Sequence, residues 1–295
     1  MKRTKQNKKV SAILTGDWHL REDQPVCRTD NHETAQWNKV DFINDLQKKY
    51  NCPILHSGDL FNHWKPSPYL LSKTIKHLPD QFWTIYGNHD QPQHNMELVY
   101  KSGINTLLTA GKLKLIHTCH WGEEPKETSV LFPGVENDRN VLVWHVMTYQ
   151  AKTPWPGCVD PMAGKLLRKY PEYSLILTGH NHKAFVEEYE GRLLVNPGSL
   201  TRHKADQINH KPRVYLWYAE TNTVEPVYLP IEPDVISREH IEVIETRNNR
   251  IDAFISQLDS EWEAAVSFEE NLKRFFSHND VRKSIKDIVM NAIEK

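Results

Sequence analysis

Residues 10–20 read VSAILTGDWHL, an apolar run that ends at Gly16 and is followed by Asp17 and His19. A short apolar run bounded by turn residues is typical of a buried β-strand. The polar pair therefore stands where the chain leaves the strand. Side chains at that position gather at the carboxyl edge of a sheet, which is where open α/β proteins bind their ligands.

Four more segments repeat this order of an apolar run followed by a polar cluster. The runs are residues 54–57, 82–86, 141–144 and 175–178. The clusters that follow them are Gly58-Asp59, Gly87-Asn88-His89-Asp90, His145 and Gly179-His180-Asn181-His182. One such cluster is weak evidence, because a lone polar residue at a strand end more often caps a turn than binds a ligand. Five in one chain predict a single site at one sheet edge.

The residue types in these clusters are those of a site for two metal ions. Asp59 is the candidate bridge between the ions. We predict that the first ion is completed by Asp17, His19 and His182, and the second by Asn88, His145 and His180. Carboxylate, amide and imidazole ligands without thiolate suit Mn²⁺, Fe, Zn²⁺ or Ni²⁺. Such a pair of ions clamps phosphate oxygens and activates the attacking water, so the pattern predicts a hydrolase of phosphate esters.

His89 directly follows a predicted ligand and can reach the site without binding metal. An imidazole can transfer a proton near neutral pH, so we predict that His89 protonates or orients the leaving oxygen. Asp90 is predicted to assist without binding metal, either by holding the His89 ring or by capping the helix that follows.

Charge and cysteine content exclude several classes of protein. The 295 residues carry 37 basic and 38 acidic side chains, a formal charge of −1. A neutral chain cannot attract a polyanion through its overall field, so nucleic-acid binding would need a local patch. The four cysteines are widely spaced, which argues against a thiolate zinc site and a disulfide framework. These features predict a cytoplasmic protein, and we expect no membrane partner because no apolar segment is long enough to span.

Helical patterns alternate with the apolar runs at residues 33–50, 67–78, 161–170 and near 95–108. This alternation predicts an α/β fold, a four-layer α/β/β/α sandwich of two sheets with outer helices. Residues 192–195, 213–218 and 223–229 read as consecutive antiparallel strands that close the second sheet. The predicted regions are a basic disordered tail at 1–9, a catalytic domain at 10–230 and a C-terminal helical region at 231–295.

The C-terminal region contains three amphipathic segments, at residues 251–258, 262–276 and 281–292. Two interpretations stay open for them. The segments pack on the catalytic core as padding, or they dock a partner, since terminal amphipathic helices are a common recognition device.

In its five clusters the chain resembles the calcineurin-like metallophosphoesterases, over roughly residues 10–230. Within that superfamily, Asp17-Trp18-His19-Leu20, Gly58-Asp59-Leu60-Phe61 and Pro66-Ser67 are similar to the SbcD-type DNA-repair nucleases. Gly16 and Arg21 depart from the residues common in that family, and the short stretch after Leu229 leaves little room for a DNA cap. Phosphatases of the superfamily carry glutamate where this chain has Asp90, which disfavours a phosphoprotein substrate.

The resemblance implies a Mn²⁺-dependent phosphodiesterase that acts on DNA ends or single strands in repair or recombination, as an exonuclease or endonuclease. Fe, Zn²⁺, Ni²⁺ and Mg²⁺ are alternatives for the two ions. It also implies an SbcC-type ATPase partner on the C-terminal helices, and a homodimer stays open. Two other hypotheses remain: a small-molecule phosphodiesterase or nucleotidase, which suits the neutral charge, and a binding scaffold without chemistry, against which the complete ligand set argues.

Substrate contacts are predicted at Arg21, Lys65, Trp155 and Arg202. Trp155 lies between two prolines in the loop after His145, and an indole on which a base stacks contributes about 1–3 kcal/mol. The three cationic residues follow the clusters closely. Together with Lys183 and Lys204 they would form the local basic rim that the neutral total charge requires.

Overall fold

The computed structural model describes residues 9–116, 119–125, 139–239 and 268–293, with a few positions between 241 and 251. The predicted basic tail lies outside these residues, apart from Lys9. The chain divides into two compact units, Met1–Ser237 and Arg238–Lys295.

The first sheet is built around β1 (Ala12–Thr15), which pairs in parallel with β2 (Ile54–His56). The parallel order continues through β3 (Phe82–Thr84) and β4 (Lys114–Leu115). On the other side of β1, β9 (Arg213–Tyr218) and β10 (Thr223–Tyr228) add antiparallel strands. The sheet order is β10-β9-β1-β2-β3-β4.

The second sheet has the order β5-β6-β8-β7. Its strands are β5 (Val141–Trp144), β6 (Leu175–Thr178), β7 (Phe185–Tyr189) and β8 (Arg192–Asn196). The first two and β8 are parallel, and β7 is antiparallel to β8. Strands β5 and β6 are buried at every position, because both faces of the sheet are covered.

Helices cover the outer face of each sheet. They are α1 (His32–Tyr50), α2 (Pro68–His77), α3 (Gly103–Thr109) and α4 (Ala163–Lys169). Asn31 caps α1 by accepting from Thr34 N, and Ser67 caps α2 by accepting from Leu70 N, with Pro68 at the first helical position. Short 3₁₀ turns occupy Pro92–His94, Met96–Lys101 and Ala205–Gln207.

Alternation along the strands fixes the order of the layers. Ile13 belongs to the core shared with α1, whereas Leu14 belongs to the core between the sheets. In β6, Leu175 faces the first sheet and Ile176 packs with residues of α4. Successive side chains of a strand point to opposite faces, so these cores establish helices, sheet, sheet and helix in turn. The predicted α/β fold with two sheets and outer helices is confirmed.

Two details of the predicted architecture were wrong. Residues 192–196 do not pair with 213–218; β8 lies in the second sheet and β9 in the first. Both segments are apolar enough to be buried, and local pattern does not tell which sheet a strand joins. The helix predicted near 95–108 is interrupted at Ser102, whose extended backbone and side-chain oxygen cap α3 instead.

The C-terminal unit contains α5 (Phe268–His278) and α6 (Lys283–Ile293). Leu272, Phe275 and Phe276 form a small core against which Val289 packs. The predicted apolar face of the last helix is only partly covered, since Ile288 is 69% exposed. The helix predicted at 251–258 and the start of the one at 262–276 lie outside the described residues, apart from Ile251. Among the described helices, none has the length and apolar composition to cross a membrane.

Leu175→Ala tests the core between the sheets. The side chain is fully buried at the start of β6, far along the strand from the polar clusters, so the substitution leaves a cavity. We expect a loss of about 2–5 kcal/mol in the free energy of unfolding, measured by urea denaturation. Val159→Ala, at a side chain that is 95% exposed, is the control and should unfold as the unsubstituted protein does. Equal stability of the two variants would contradict the sandwich.

Candidate metal centre

The polar clusters meet where the strand ends of the two sheets come together, and the backbone there is strained. Asp17, His19, Asp59, His180 and His182 all have positive φ, between 46° and 75°. Left-handed backbone is unfavourable for residues other than glycine, and such conformations concentrate at functional sites. The turns therefore hold these side chains in directions that an ordinary strand end would not give them.

Two glycines permit the close approach of the turns. Gly58 has φ +93°, and a Cβ there would lie 2.8 Å from His145 Nδ1. A Cβ on Gly87 would lie 2.1 Å from Asp59 Oδ1. Both positions therefore exclude any side chain.

Asp59 lies at the centre of the cluster. Its Oδ2 is 3.5 Å from His19 Nε2 and 3.3 Å from His145 Nε2. This oxygen is buried and accepts no hydrogen bond from a described residue, while Oδ1 accepts from His89 N at 2.9 Å. A carboxylate oxygen directed between two imidazoles without a hydrogen-bond donor is the arrangement that a bridging ligand requires. The Asp59 carboxylate therefore lies between the imidazoles of the two predicted ligand groups, and its role as a bridge stays a prediction.

Asp17, His19 and His182 form one group of potential ligands, with one donor atom of each within 4.8 Å of the others. The Nε2 atoms of the two histidines are 2.9 Å apart. The Asp17 carboxylate accepts from His180 N at 2.9 Å and 3.1 Å, which ties this group to the neighbouring turn.

Asp59, His145 and His180 form a second group, to which Asn88 adds an amide oxygen. Asn88 Oδ1 is 3.1 Å from His145 Nε2 and 2.9 Å from His180 Nδ1. His145 Nδ1 donates to Ser57 O at 2.7 Å, which leaves the lone pair on Nε2 directed into the cluster. All seven predicted ligands are therefore brought together in two adjoining groups.

Burial and mutual contact set the charges at this site. Burial raises the pKa of Asp17 to about 7, and the nearby Asp59 carboxylate adds to that effect. Burial acts in the same direction on Asp59, but His145 and His19 outweigh it and hold the pKa of Asp59 well below its ordinary value. Although burial acts to lower it, the pKa of His145 rises to about 9 because of the Asp59 carboxylate. Buried carboxylates of this kind call for positive charge beside them.

The donor set fits divalent metal ions. It combines a buried carboxylate oxygen that lacks a hydrogen-bond donor with an amide oxygen and imidazole nitrogens, which suit first-row metals of borderline hardness. Asp17, His19 and His182 would hold one ion, Asn88, His145 and His180 the other, and Asp59 both.

His89 lies beside the first group, with its ring centroid 4.7 Å from that of His19. Its Nδ1 donates to Asn62 O at 2.7 Å, so Nε2 is the nitrogen left for the site. A donor atom of His89 also lies within 4.8 Å of donor atoms of His19 and Asp59, close enough to share an ion with them. This anchor is of the same kind as that of His145, whose Nδ1 donates to Ser57 O, so each of the two rings leaves Nε2 for the site.

Asp90 performs neither of the two tasks predicted for it. Its fully buried carboxylate accepts backbone hydrogen bonds from Asp59 at 2.7 Å, Gly87 at 3.0 Å, and Leu60 and Phe61 at 3.3 Å. The carboxylate thus holds the two turns together instead of contacting the His89 ring or capping a helix. Burial raises the pKa of Asp90 to about 8, and Asp59 adds to this effect.

The predicted substrate contacts differ in what they present to solvent. Trp155 is 48% exposed and Lys65 is exposed, while the half-buried Arg21 pairs with Asp23. Arg202 is a correction, because it is buried and its guanidinium donates to Ile208 O and Glu232 O. Because the Arg202 guanidinium is hydrogen-bonded to these two backbone carbonyls, it stabilises a loop and does not face a substrate.

His203 was missed by the sequence analysis. Its ring centroid lies 5.3 Å from that of His19 and 5.1 Å from that of His182. Burial lowers the pKa of His203 to about 3, and the Lys204 and Arg21 charges act in the same direction. The available signal was its place just after the Asn196–Ser199 turn, which returns the chain to the site after the last predicted ligand.

Asp59→Asn should lower the content of both metal ions, since it removes the one charge shared by the two groups. After loading with Mn²⁺ and gel filtration, we expect fewer than one ion per chain by elemental analysis. Asp45→Asn makes the same chemical change on the exposed face of α1 and is expected to retain the ion content of the unsubstituted protein. Full occupancy in Asp59→Asn would contradict the bridging arrangement.

Comparison with known proteins gives the family of this chain. A family model described as the calcineurin-like phosphoesterase superfamily domain matches residues 16–216. No curated protein matches the sequence. Solved structures with a similar fold include an archaeal phosphodiesterase, at 14% identity over 74% of this chain and 99% of that one, with a TM-score of 0.43.

Two others are forms of the protein Vps29. A single-site mutant from Entamoeba histolytica is 14% identical over 74% of this chain and 99% of that one, with a TM-score of 0.36. The protein from Cryptosporidium parvum is 16% identical over 74% of this chain and 95% of that one, with a TM-score of 0.38. The family match extends over more than half of the chain and contains all the predicted ligands. The chain therefore belongs to the calcineurin-like phosphoesterase superfamily.

Proposed function

We propose that this chain is a phosphodiesterase that depends on two divalent metal ions and cleaves DNA. Membership of the superfamily and the Asp/His clusters support the broader activity, metal-dependent hydrolysis of a phosphate ester. The observation that carries the proposal is Asp59 Oδ2, buried without a donor between His19 at 3.5 Å and His145 at 3.3 Å. We propose Mn²⁺ as the ion, as the resemblance to SbcD-type nucleases implies.

The metal ions, when bound, would neutralise the phosphate oxygens and lower the pKa of the attacking water. The protein supplies the frame for this chemistry. Backbone strain at the ligand turns and the Asp90 hydrogen bonds fix the side chains before a substrate arrives. Preorganised groups of this kind do not have to reorient during the reaction.

His89 is the proposed acid for the leaving oxygen. The bond from Nδ1–H to Asn62 O at 2.7 Å fixes the ring and leaves Nε2 as the nitrogen that can carry a proton to the leaving oxygen. The bond from His89 N to Asp59 Oδ1 at 2.9 Å fixes the same residue against the metal ligands. A protonated imidazole beside the centre can donate to an alcohol oxygen, which is the leaving group of a phosphodiester in DNA.

The segment that suggested an SbcD-type nuclease supports His89 directly. Phe61 is buried, and a Cβ on Gly103 would lie 2.4 Å from Pro66 and 3.1 Å from Phe61. These contacts pin residues 61–66 against α3, and Asn62, the acceptor for the His89 ring, lies within that segment. The motif thus holds the backbone acceptor of the His89 ring, and this support for the proposed acid favours a nuclease-like substrate.

Incubation of the purified chain with Mn²⁺ and end-labelled linear DNA tests the substrate. We expect cleavage that is abolished by a chelator and restored by Mn²⁺. A parallel reaction with bis(p-nitrophenyl) phosphate reports the ester hydrolysis alone. Intact DNA together with rapid hydrolysis of the small diester would remove DNA as the substrate and favour the small-molecule phosphodiesterase or nucleotidase.

His89→Ala should retain two metal ions and lose about 10²–10⁴-fold in turnover of DNA, because the proton for the leaving oxygen is gone. The loss should be much smaller with bis(p-nitrophenyl) phosphate, whose p-nitrophenolate departs without a proton. His77→Ala, on α2, is the matched control and should keep both activities. An equal loss for the two substrates, or one ion lost from His89→Ala, would contradict the role as an acid.

A further inference from the structure

A cavity of about 310 Å³ opens beside the metal centre. Its walls come from residues 181–184, which carry the predicted ligand His182, and from residues 204–213. His182 therefore belongs to the metal centre and to the cavity. Its Nε2 lies 2.9 Å from His19 Nε2 in the centre, and the residue also lines the cavity. The cavity and the metal centre are therefore adjacent, with His182 shared between them.

The cavity is strongly basic although the chain as a whole is neutral. Lys183, Lys204, Lys211 and Arg213 line it, against the single carboxylate of Asp206. The three lysine ammonium groups form no ion pair or hydrogen bond with another described residue. This excess of positive charge meets the requirement for a local patch that the overall charge of −1 imposes.

The wall of the cavity is preformed. Gln207 Oε1 accepts from His203 N and Lys204 N, while its Nε2 donates to Ser199 Oγ at 2.7 Å. His210 Nε2 is bonded to Ser199 O at 2.9 Å. The Arg213 guanidinium lies 4.7 Å from the centre of the Tyr228 ring and donates to Lys211 O. These bonds hold the loop of residues 199–213, so the lysines project from a fixed frame.

The lining favours a phosphate group over a base. Among the described residues that line it, the histidines are the only aromatic side chains on which a base could stack. Lysine ammonium groups, with amides beside them, are instead suited to anionic oxygens.

We infer that this cavity binds the phosphate next to the scissile one in a nucleic-acid strand, held by Lys183 and Lys211. The inference rests on the proposed function and specifies its substrate as a strand with at least two successive phosphodiesters. Lys204, closest in sequence to His203, lies at the junction between the cavity and the metal centre. A chain that is neutral as a whole thereby has a site for an anion beside the metal centre, where the nucleic-acid strand is proposed to bind.

The test compares two double variants in the full-length Mn²⁺-loaded protein, on a His89→Ala background so that DNA is bound without turnover. Lys183→Ala with Lys211→Ala removes the inferred contacts. Lys76→Ala with Lys112→Ala removes the same charge at exposed positions that precede β3 and β4, at the opposite edge of the first sheet. Thermal unfolding checks that both variants are folded, and fluorescence anisotropy with a labelled oligodeoxythymidylate measures affinity at several salt concentrations.

We expect the cavity variant to bind the oligonucleotide about tenfold more weakly, with the slope of log affinity against log salt reduced by about 0.7–1. The Lys76/Lys112 variant should bind as the His89→Ala parent does. A neutral methylphosphonate next to the scissile position should weaken binding to the parent and have little further effect on the cavity variant.

Equal affinity of the two double variants would overturn the inference. The inference would also be overturned if inorganic phosphate bound in a way that depends on Lys183 and Lys211 while oligonucleotide binding did not depend on them. The cavity would then hold free phosphate only. Failure of the protein with His89 intact to hydrolyse either DNA or bis(p-nitrophenyl) phosphate would overturn the proposed function instead, and that measurement is separate from the binding comparison.

Discussion

The structure depends on one buried carboxylate. Asp59 is 1% exposed, and its Oδ2 lies between two imidazoles that come from different sheets. A charge in that position is costly unless opposite charge is held beside it, so the two sheets must meet in one register for the site to exist. His145 arrives from the second sheet and is fixed by Ser57 of the first at 2.7 Å. The hydrogen bond between His145 and Ser57 thus joins the two sheets and also positions a side chain of the site.

The turns that carry the predicted ligands are hydrogen-bonded to one another. Asp90 accepts from the backbone of residues 59–61 and 87, and Asp17 accepts from His180 N. Residues 61–66 then extend this frame outwards through Asn62 to the His89 ring. A change in that segment would alter the support of the His89 ring and leave the predicted metal ligands in place. The acceptor for this ring and the predicted ligand Asp59 thus lie in separate parts of the loop after β2.

The sequence predicted the elements that have a local cause. Apolar runs that end in polar clusters predicted the strands of the centre, and the helical pattern at residues 67–78 predicted α2. The seven predicted ligands could be named because their residue types suit one chemistry, and the structure brings all seven together. Pairing between distant strands could not be derived, since β8 and β9 are both apolar and only the whole packing assigns them to different sheets.

Side-chain direction was the second limit of the sequence. Arg202 follows a conspicuous turn, yet its guanidinium bends back onto the carbonyls of residues 208 and 232. Asp90 was correctly associated with the site, but its hydrogen-bond partners are backbone groups of another turn, which have no signature in sequence. His203 reaches His19 and His182 through the same returning loop. In each case the deciding contact joins residues that are far apart in the chain or is made by backbone atoms.

The left-handed backbone at five ligand positions has a consequence for the evolution of this chain. Each such residue costs about 1–3 kcal/mol, which glycine at the same position would largely recover. Selection for thermal stability alone would therefore favour glycine at these five positions. The donor atoms of the present side chains would then be lost. The catalytic centre persists only under continuing selection for activity, and a relative that has kept the sandwich but lost these five side chains would be expected to melt at a higher temperature.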